Sequence, residues 1–248
     1  MDVTNLKYFV LFIGHGRSGH SLVGAMLNSH PNMVIANELD ILRQFDVTPN
    51  NLNKMYKSIL KKGPHIWKPL RDKDLGWKWL GQYKVLEVMG TKLGGGTESY
   101  LREHYEDLDK LKKILPVPLK FIHVKRNMYD NISTMLKHGG PKHGFSDLDS
   151  AIDLYFAGIP TIKRVRAEED VIKVKHEDFI SNPKKVLTKI CVDLEMDAYP
   201  DYLDFCDSIV WNKPRITRHN ANWEPKHIER VEKLKQDVDF LREYTFDN

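Results

Sequence analysis

Short apolar runs alternate along the chain with stretches in which apolar residues recur every third or fourth position. Residues 8–13 (YFVLFI) form a continuous apolar run closed by Gly14, which predicts a strand buried on both faces. Residues 21–29 carry apolar side chains at 22, 23, 26 and 27 and predict a helix. A second strand is expected at 84–89 (KVLEVM). A helix is expected over 97–115, where Leu101, Tyr105, Leu108, Leu111 and Leu115 keep helical spacing. Residues 120–124 (KFIHV) predict a third strand, 129–136 a helix, and 149–166 a longer helix interrupted near Pro160. A fourth strand follows at 171–174. A helix at 183–192 opens on Pro183, and an amphipathic helix over 224–244 completes the pattern. Strands separated by helices imply parallel pairing, hence an α/β fold with a central parallel sheet flanked by helices on both faces. The chain reads as a single domain, 1–248. The stretch from Asn37 to Gly81 breaks the alternation and carries Trp67, Trp77 and Trp79, which suggests an insertion around 41–81 over the substrate side of the sheet. The glycine run 94–96 reads as a turn.

Composition narrows the class. With 248 residues, 41% apolar and 29% charged, the chain can bury a full core and is neither disordered nor fibrous. No stretch approaches the ~18 apolar residues of a membrane span, and the run at 8–13 is too short for the core of a signal peptide. Cys191 and Cys206 read as two reduced thiols, so a cytoplasmic location is expected. The net charge of +4 suits an anionic ligand and argues against a nucleic-acid partner. Lysine runs such as 110–113 read as solvated helix faces.

The chemistry concentrates at Gly14-His-Gly16-Arg17-Ser18-Gly19-His20-Ser21, between the first strand and the first helix. Glycines let backbone N–H groups approach a ligand, and the helix start adds unpaired N–H groups and the positive end of a dipole. Such a junction suits phosphate. The spacing Gly14-x4-Gly19-x-Ser21 is close to a Walker A loop, but His20 stands where that loop needs lysine. The strand at 120–124 runs into Lys125-Arg126-Asn127, a positive end where a magnesium site needs a carboxylate.

This loop resembles the 5′-phosphosulfate loop of sulfotransferases that use 3′-phosphoadenosine 5′-phosphosulfate (PAPS). Three further segments match in the expected order. His123-Val-Lys-Arg126-Asn-Met-Tyr-Asp-Asn-Ile-Ser133-Thr134 is similar to the 3′-phosphate motif, an arginine at a strand end followed by a hydroxyl residue on the next helix. Thr134 stands at the usual distance of eight residues, and Ser133 at seven. Residues 174–183 (VKHEDFISNP) resemble a Val-x-Tyr-Glu-Asp-Leu-x-x-x-Pro segment, with His176 in place of tyrosine. Lys213-Pro214, with Trp223 ten residues after the lysine, resembles an element of the protein-tyrosine sulfotransferases. His20 for threonine and Met128 for proline are further departures. The resemblance runs from about residue 8 to about 240 and implies a P-loop-kinase-like sulfotransferase fold.

It also implies a reaction: transfer of a sulfuryl group from PAPS, with 3′,5′-ADP as product and no metal, to a hydroxyl or amine of a small-molecule, carbohydrate or peptide acceptor. Gly16, Arg17, Ser18, Gly19, His20 and Ser21 would meet the 5′-phosphosulfate. Arg126 with Ser133 or Thr134 would meet the 3′-phosphate, and Lys213 would add a contact. Glu38 matches the catalytic glutamate of the protein-tyrosine sulfotransferase pattern, and Lys92 resembles the lysine that stabilises the leaving oxygen. His15, His20 and His123 are alternative bases. Two other classes stay open, a nucleotide-dependent kinase with a degenerate Walker A loop and a catalytically silent nucleotide-binding protein of the same fold.

Overall fold

A computed structural model describes residues 3–64, 77, 79, 81–139, 146–211 and 213–247. Its strands are β1 (Tyr8–Ile13), β2 (Met33–Asn37), β3 (Val88–Lys92), β4 (Leu119–Lys125) and β5 (Val171–Lys175). All pairs are parallel, in the order β2-β3-β1-β4-β5, with Leu11 in register with Thr91 on one side and Phe121 on the other. The central position of β1 explains its unbroken apolar run. Phe9, Leu11 and Ile13 enter one core, while Val10 and Phe12 enter the core on the opposite face. Two helical layers cover these faces, as parallel sheets require.

The helices are α1 (His20–Leu27), α2 (Ile41–Gln44), α3 (Pro49–Lys62), α4 (Gly96–Leu101), α5 (Glu106–Ile114), α6 (Met128–His138), α7 (Leu148–Ala157), α8 (Ile159–Glu168), α9 (His176–Ser181), α10 (Pro183–Asp193), α11 (Pro200–Ile209) and α12 (Pro225–Leu234). Side chains of α1, α10 and α11 fill one core. Those of α3, α5, α6, α7 and α8 fill the other. None of these helices is long and apolar enough to cross a membrane.

The structure corrects several expectations. The strand predicted at 84–89 lies at Val88–Lys92, because the preceding residues turn back onto 31 and 32 through Lys84 N–H to the Pro31 carbonyl (2.6 Å) and Glu87 N–H to the Asn32 carbonyl (3.0 Å). Lys92 therefore ends a strand. The short strand β2 escaped prediction. Asn37 closes it, and the next helix is capped by Asp40, whose side chain accepts from Arg43 N–H at 3.1 Å. The single helix expected over 97–115 is two, α4 and α5. The apolar spacing continues across the break because Leu101, Leu108 and Leu111 enter the same core. The helix expected at 149–166 divides at Gly158, with Pro160 in the first turn of α8. The one expected over 224–244 ends at Leu234 and is followed by a 3-10 turn, Asp239–Leu241. Helices α9 and α11 were not foreseen.

Trp67 lies outside the described residues. Trp77 donates to the Ser29 carbonyl at 2.8 Å and stacks on Phe205. Helix α3 packs on β2, and none of the described residues 41–81 lines the cleft described next. Both cysteines are buried thiols, and burial pushes the Cys191 thiol up to about 12.

Candidate active site

The carboxyl ends of β1, β3 and β4 open into a cleft of about 1040 Å³. That is at the upper end of the ~300–1,000 Å³ typical of ligand pockets, room for more than one small molecule. Its floor is the turn between β1 and α1. Gly19 precedes the helix with φ +103°, and a side chain there would collide with His176, whose Nδ1 lies 2.3 Å from the place of a Cβ. Arg17 also takes a left-handed backbone, φ 68°. A non-glycine residue held so costs on the order of 1–3 kcal/mol and is found mostly at functional sites. Gly16, Arg17, Gly19, His20 and Ser21 line the cleft, and so do the glycines 94–96, which the sequence offered only as a turn. Ser18 is buried behind the loop with its hydroxyl 3.2 Å from His20 Nδ1.

Register brings the two candidate catalytic residues together. Asn37 of β2 pairs with Lys92 of β3, and Glu38 follows at once, its N–H donating to the Lys92 carbonyl at 2.7 Å. Glu38 takes a left-handed φ of 52°. Its carboxylate is half-exposed and accepts from Lys92 Nζ, which also donates to Ser21 Oγ at 2.9 Å. The Lys92 side chain is only 1% exposed. Burial lowers its pKa, Glu38 counters that, and Arg17 lowers it further. Gly24 of α1 makes space for the lysine stem, since a Cβ there would sit 3.0 Å from Lys92 Cγ.

Arg126, the residue after β4, also lines the cleft. Nη1 donates to the Arg17 carbonyl (3.2 Å) and Thr134 Oγ1 (3.2 Å); Nη2 donates to the Arg215 carbonyl (2.9 Å) and Thr217 Oγ1 (3.1 Å). The fork thus touches Thr134, one of the two hydroxyl candidates. Ser133 also lines the cleft, but its Oγ accepts from Trp223 Nε1 at 2.8 Å. Asn131 Nδ2 donates to the Gly16 carbonyl at 2.7 Å, fastening the turn to α6. Lys213 is exposed and is not among the residues lining the cleft; Arg215 and Thr217 reach it instead.

Burial lowers the pKa of His15, His20, His123 and His176. Nε2 of His20 donates to the Ile13 carbonyl (3.2 Å), and burial chiefly, with Lys92, lowers its pKa to about 3. Nε2 of His15 donates to the Tyr155 carbonyl (2.7 Å), its ring stacks on Tyr155, and burial lowers it to about 4. His123 is buried beside Arg166 and does not line the cleft. His176, which entered the sequence reading only as a replacement for tyrosine, has a buried Nδ1 with no hydrogen-bond partner and a pKa lowered to about 4 by burial first and Arg126 second. An orphaned imidazole nitrogen against the turn, beside an arginine fork, fits an anionic ligand that brings its own acceptors and donors. Arg215 and Thr217 were also missed, because their segment carries no glycine or strand-end signal, and so were Glu98 and Arg102, because the glycine run before them was read only as a turn.

A sequence profile of the sulfotransferase family matches residues 10–201. A search of curated protein sequences finds no match. Among solved structures, the chain is similar to the sulfotransferase domain of the Synechococcus PCC 7002 olefin synthase (TM-score 0.53, 18% identity, covering 94% of this chain and 89% of that one). It is similar to the sulfotransferase domain of the curacin biosynthetic pathway (0.53, 14%, 94% and 93%). It is also similar to mouse sulfotransferase SULT7A1 complexed with PAP (0.56, 12%, 96% and 86%). At these identities the likeness is one of fold.

Proposed function

The chain belongs to the sulfotransferase family, and on that premise we propose that it transfers a sulfuryl group from PAPS to a hydroxyl or amine acceptor. The observation that carries this reading is Lys92 Nζ, buried just behind the cleft and held between Glu38 and Ser21, two residues that line the same cleft as the Arg126–Thr134 pair. The related mouse enzyme was solved with PAP, which is 3′,5′-ADP, and that supports the choice of donor.

The donor supplies a sulfuryl group activated by a phosphate leaving group. The backbone N–H groups of the turn, Ser21 and Arg17 hold the 5′ end, where the helix start favours negative charge. Arg126 and Thr134 hold the 3′-phosphate, the guanidinium fork matching two of its oxygens. Lys92 stabilises charge on the leaving oxygen, an interaction that strengthens as the bond breaks. Glu38 takes the acceptor proton as the new S–O or S–N bond forms. The carboxylate is half-exposed and lines the cleft, which supports that role. Sugars, small alcohols or phenols, and peptide hydroxyls all meet this chemistry. No metal is needed, since Arg17, Lys92 and Arg126 supply the positive charge.

Calorimetric titration in the presence of EDTA tests the reading. 3′,5′-ADP is expected to bind far more tightly than ADP, and Arg126→Ala to weaken it on the order of tenfold or more, the worth of one charge-assisted phosphate contact. Equal affinity for the two nucleotides, or binding restored only by magnesium, would move the assignment to a kinase.

A further inference from the structure

The ion pair of Asp130 with Arg218 is buried, the side chains being 5% and 4% exposed. Asp130 lies in the first turn of α6, one turn before Thr134, so the two share a face of the helix. Its Oδ1 accepts from Thr217 N–H (2.6 Å), Arg218 N–H (2.7 Å) and Arg218 Nε (3.2 Å), and its Oδ2 from Arg218 Nη2 (2.7 Å). Its backbone carbonyl accepts from both Thr134 Oγ1 (2.7 Å) and Thr217 Oγ1 (2.8 Å). Both hydroxyls donate their protons to Asp130 and turn lone pairs toward the Arg126 fork. One residue therefore fixes the two hydroxyls and, through Thr217, the segment whose Arg215 carbonyl completes the fork.

Arg218 extends the connection. Its Nη1 donates to the carbonyls of Thr245 (3.1 Å) and Phe246 (2.6 Å), and Asn127, the cap of α6, donates to Thr245 as well (3.1 Å). The Phe246 ring lies edge-on among Tyr129, His219 and Trp223, and Trp223 in turn holds Ser133. Both hydroxyls offered for the 3′-phosphate are thus tied to residues 245 and 246, Thr134 through Asp130 and Arg218, Ser133 through Trp223. A fork whose donors are committed to protein oxygens must exchange some of them for phosphate oxygens. It can do so selectively only if the alternative partners stay in place.

We infer that Asp130 and Arg218 are positioning residues for the 3′-phosphate clamp at Arg126, and that they couple it to the segment around Phe246. The inference rests on the reading of Arg126 as a phosphate ligand. It is tested on the full chain by titrating 3′,5′-ADP and 5′-AMP into the wild type, Arg218→Lys and Phe246→Ala, with thermal melts alongside. Lysine keeps the charge beside Asp130 but cannot supply the forked donors. Arg218→Lys is expected to weaken 3′,5′-ADP on the order of tenfold and to leave 5′-AMP nearly unchanged; Phe246→Ala moves the same ratio less. A lower melting temperature with an unchanged 3′,5′-ADP to 5′-AMP ratio overturns the inference, because a merely structural pair would weaken both ligands alike. If Arg218→Lys fails to fold, the ratio in Phe246→Ala decides in its place: a lowered ratio supports the coupling and an unchanged one overturns it. A wild type with no preference for 3′,5′-ADP overturns the phosphate reading itself.

Discussion

Glu38 and Lys92 are 54 residues apart in sequence and in direct contact in the fold. A half-exposed carboxylate bonded to an almost fully buried ammonium is an asymmetric pair. The lysine bears most of the desolvation, while the glutamate keeps one side open to the cleft. Glu38→Gln keeps an oxygen acceptor for Lys92 and removes the base. Cofactor affinity is expected to change little, and turnover on a true acceptor to fall by about 10²–10⁴, the usual scale of general base catalysis. Near-wild-type turnover would move the base to another residue. His15 comes next, since it lines the cleft and its Nε2–H is committed to the Tyr155 carbonyl, which leaves Nδ1 as the basic nitrogen. At this scale the sequence exposed residue types and spacing. It exposed neither the left-handed backbone of Arg17 and Glu38 nor the orphaned nitrogen of His176.

Helix α1 joins the glycine turn to the lysine. Its start carries Ser21, and its middle carries Gly24, where the Lys92 stem crosses. Alanine in place of a helix-interior glycine is ordinarily stabilising by about 1 kcal/mol. Here the new Cβ would stand 3.0 Å from Lys92 Cγ and 3.2 Å from Lys92 Cβ, so the stem must shift. Gly24→Ala is therefore expected to leave the melting temperature within a few degrees while lowering turnover by tenfold or more, a loss on the order of 1.4 kcal/mol in the barrier. Unchanged turnover with a raised melting temperature would show that Lys92 moves without consequence. The start of α1 was legible because a strand, a glycine turn and a helix are consecutive in sequence. The β3 boundary was not, because residues 84–87 are as strand-like in composition as 88–92. Only the hydrogen bonds of 84 and 87 to the 31–32 turn decide where pairing begins.

For the whole molecule, three imidazoles that face the turn are buried and neutral: His15, His20 and His176, with pKa values lowered to about 4, 3 and 4, burial being the largest cause in each. In the unfolded chain a histidine titrates near 6.5. The folded state thus binds fewer protons below that value. Their contribution to stability is complete above about pH 6.5 and is lost as pH falls toward 4, each group adding a slope of up to about 1.4 kcal/mol per pH unit. The urea midpoint is expected to hold between pH 7 and 8 and to fall steeply from pH 6.5 to 4.5; a flat profile would mean that these rings exchange freely with water. The class of fold, the position of β1, β4 and β5, and the glycine turn before α1 were determined by the sequence itself, because apolar periodicity and glycine spacing act over neighbouring residues. The sulfotransferase resemblance rested on those same local motifs. The meeting of Glu38 with Lys92 and of Asp130 with Arg218 was decided only by the tertiary structure. The first depends on the register of β2 against β3, and the second on a segment 88 residues away folding back onto α6. Contacts of that range leave no period in the chain, since they are set by which apolar faces pack together.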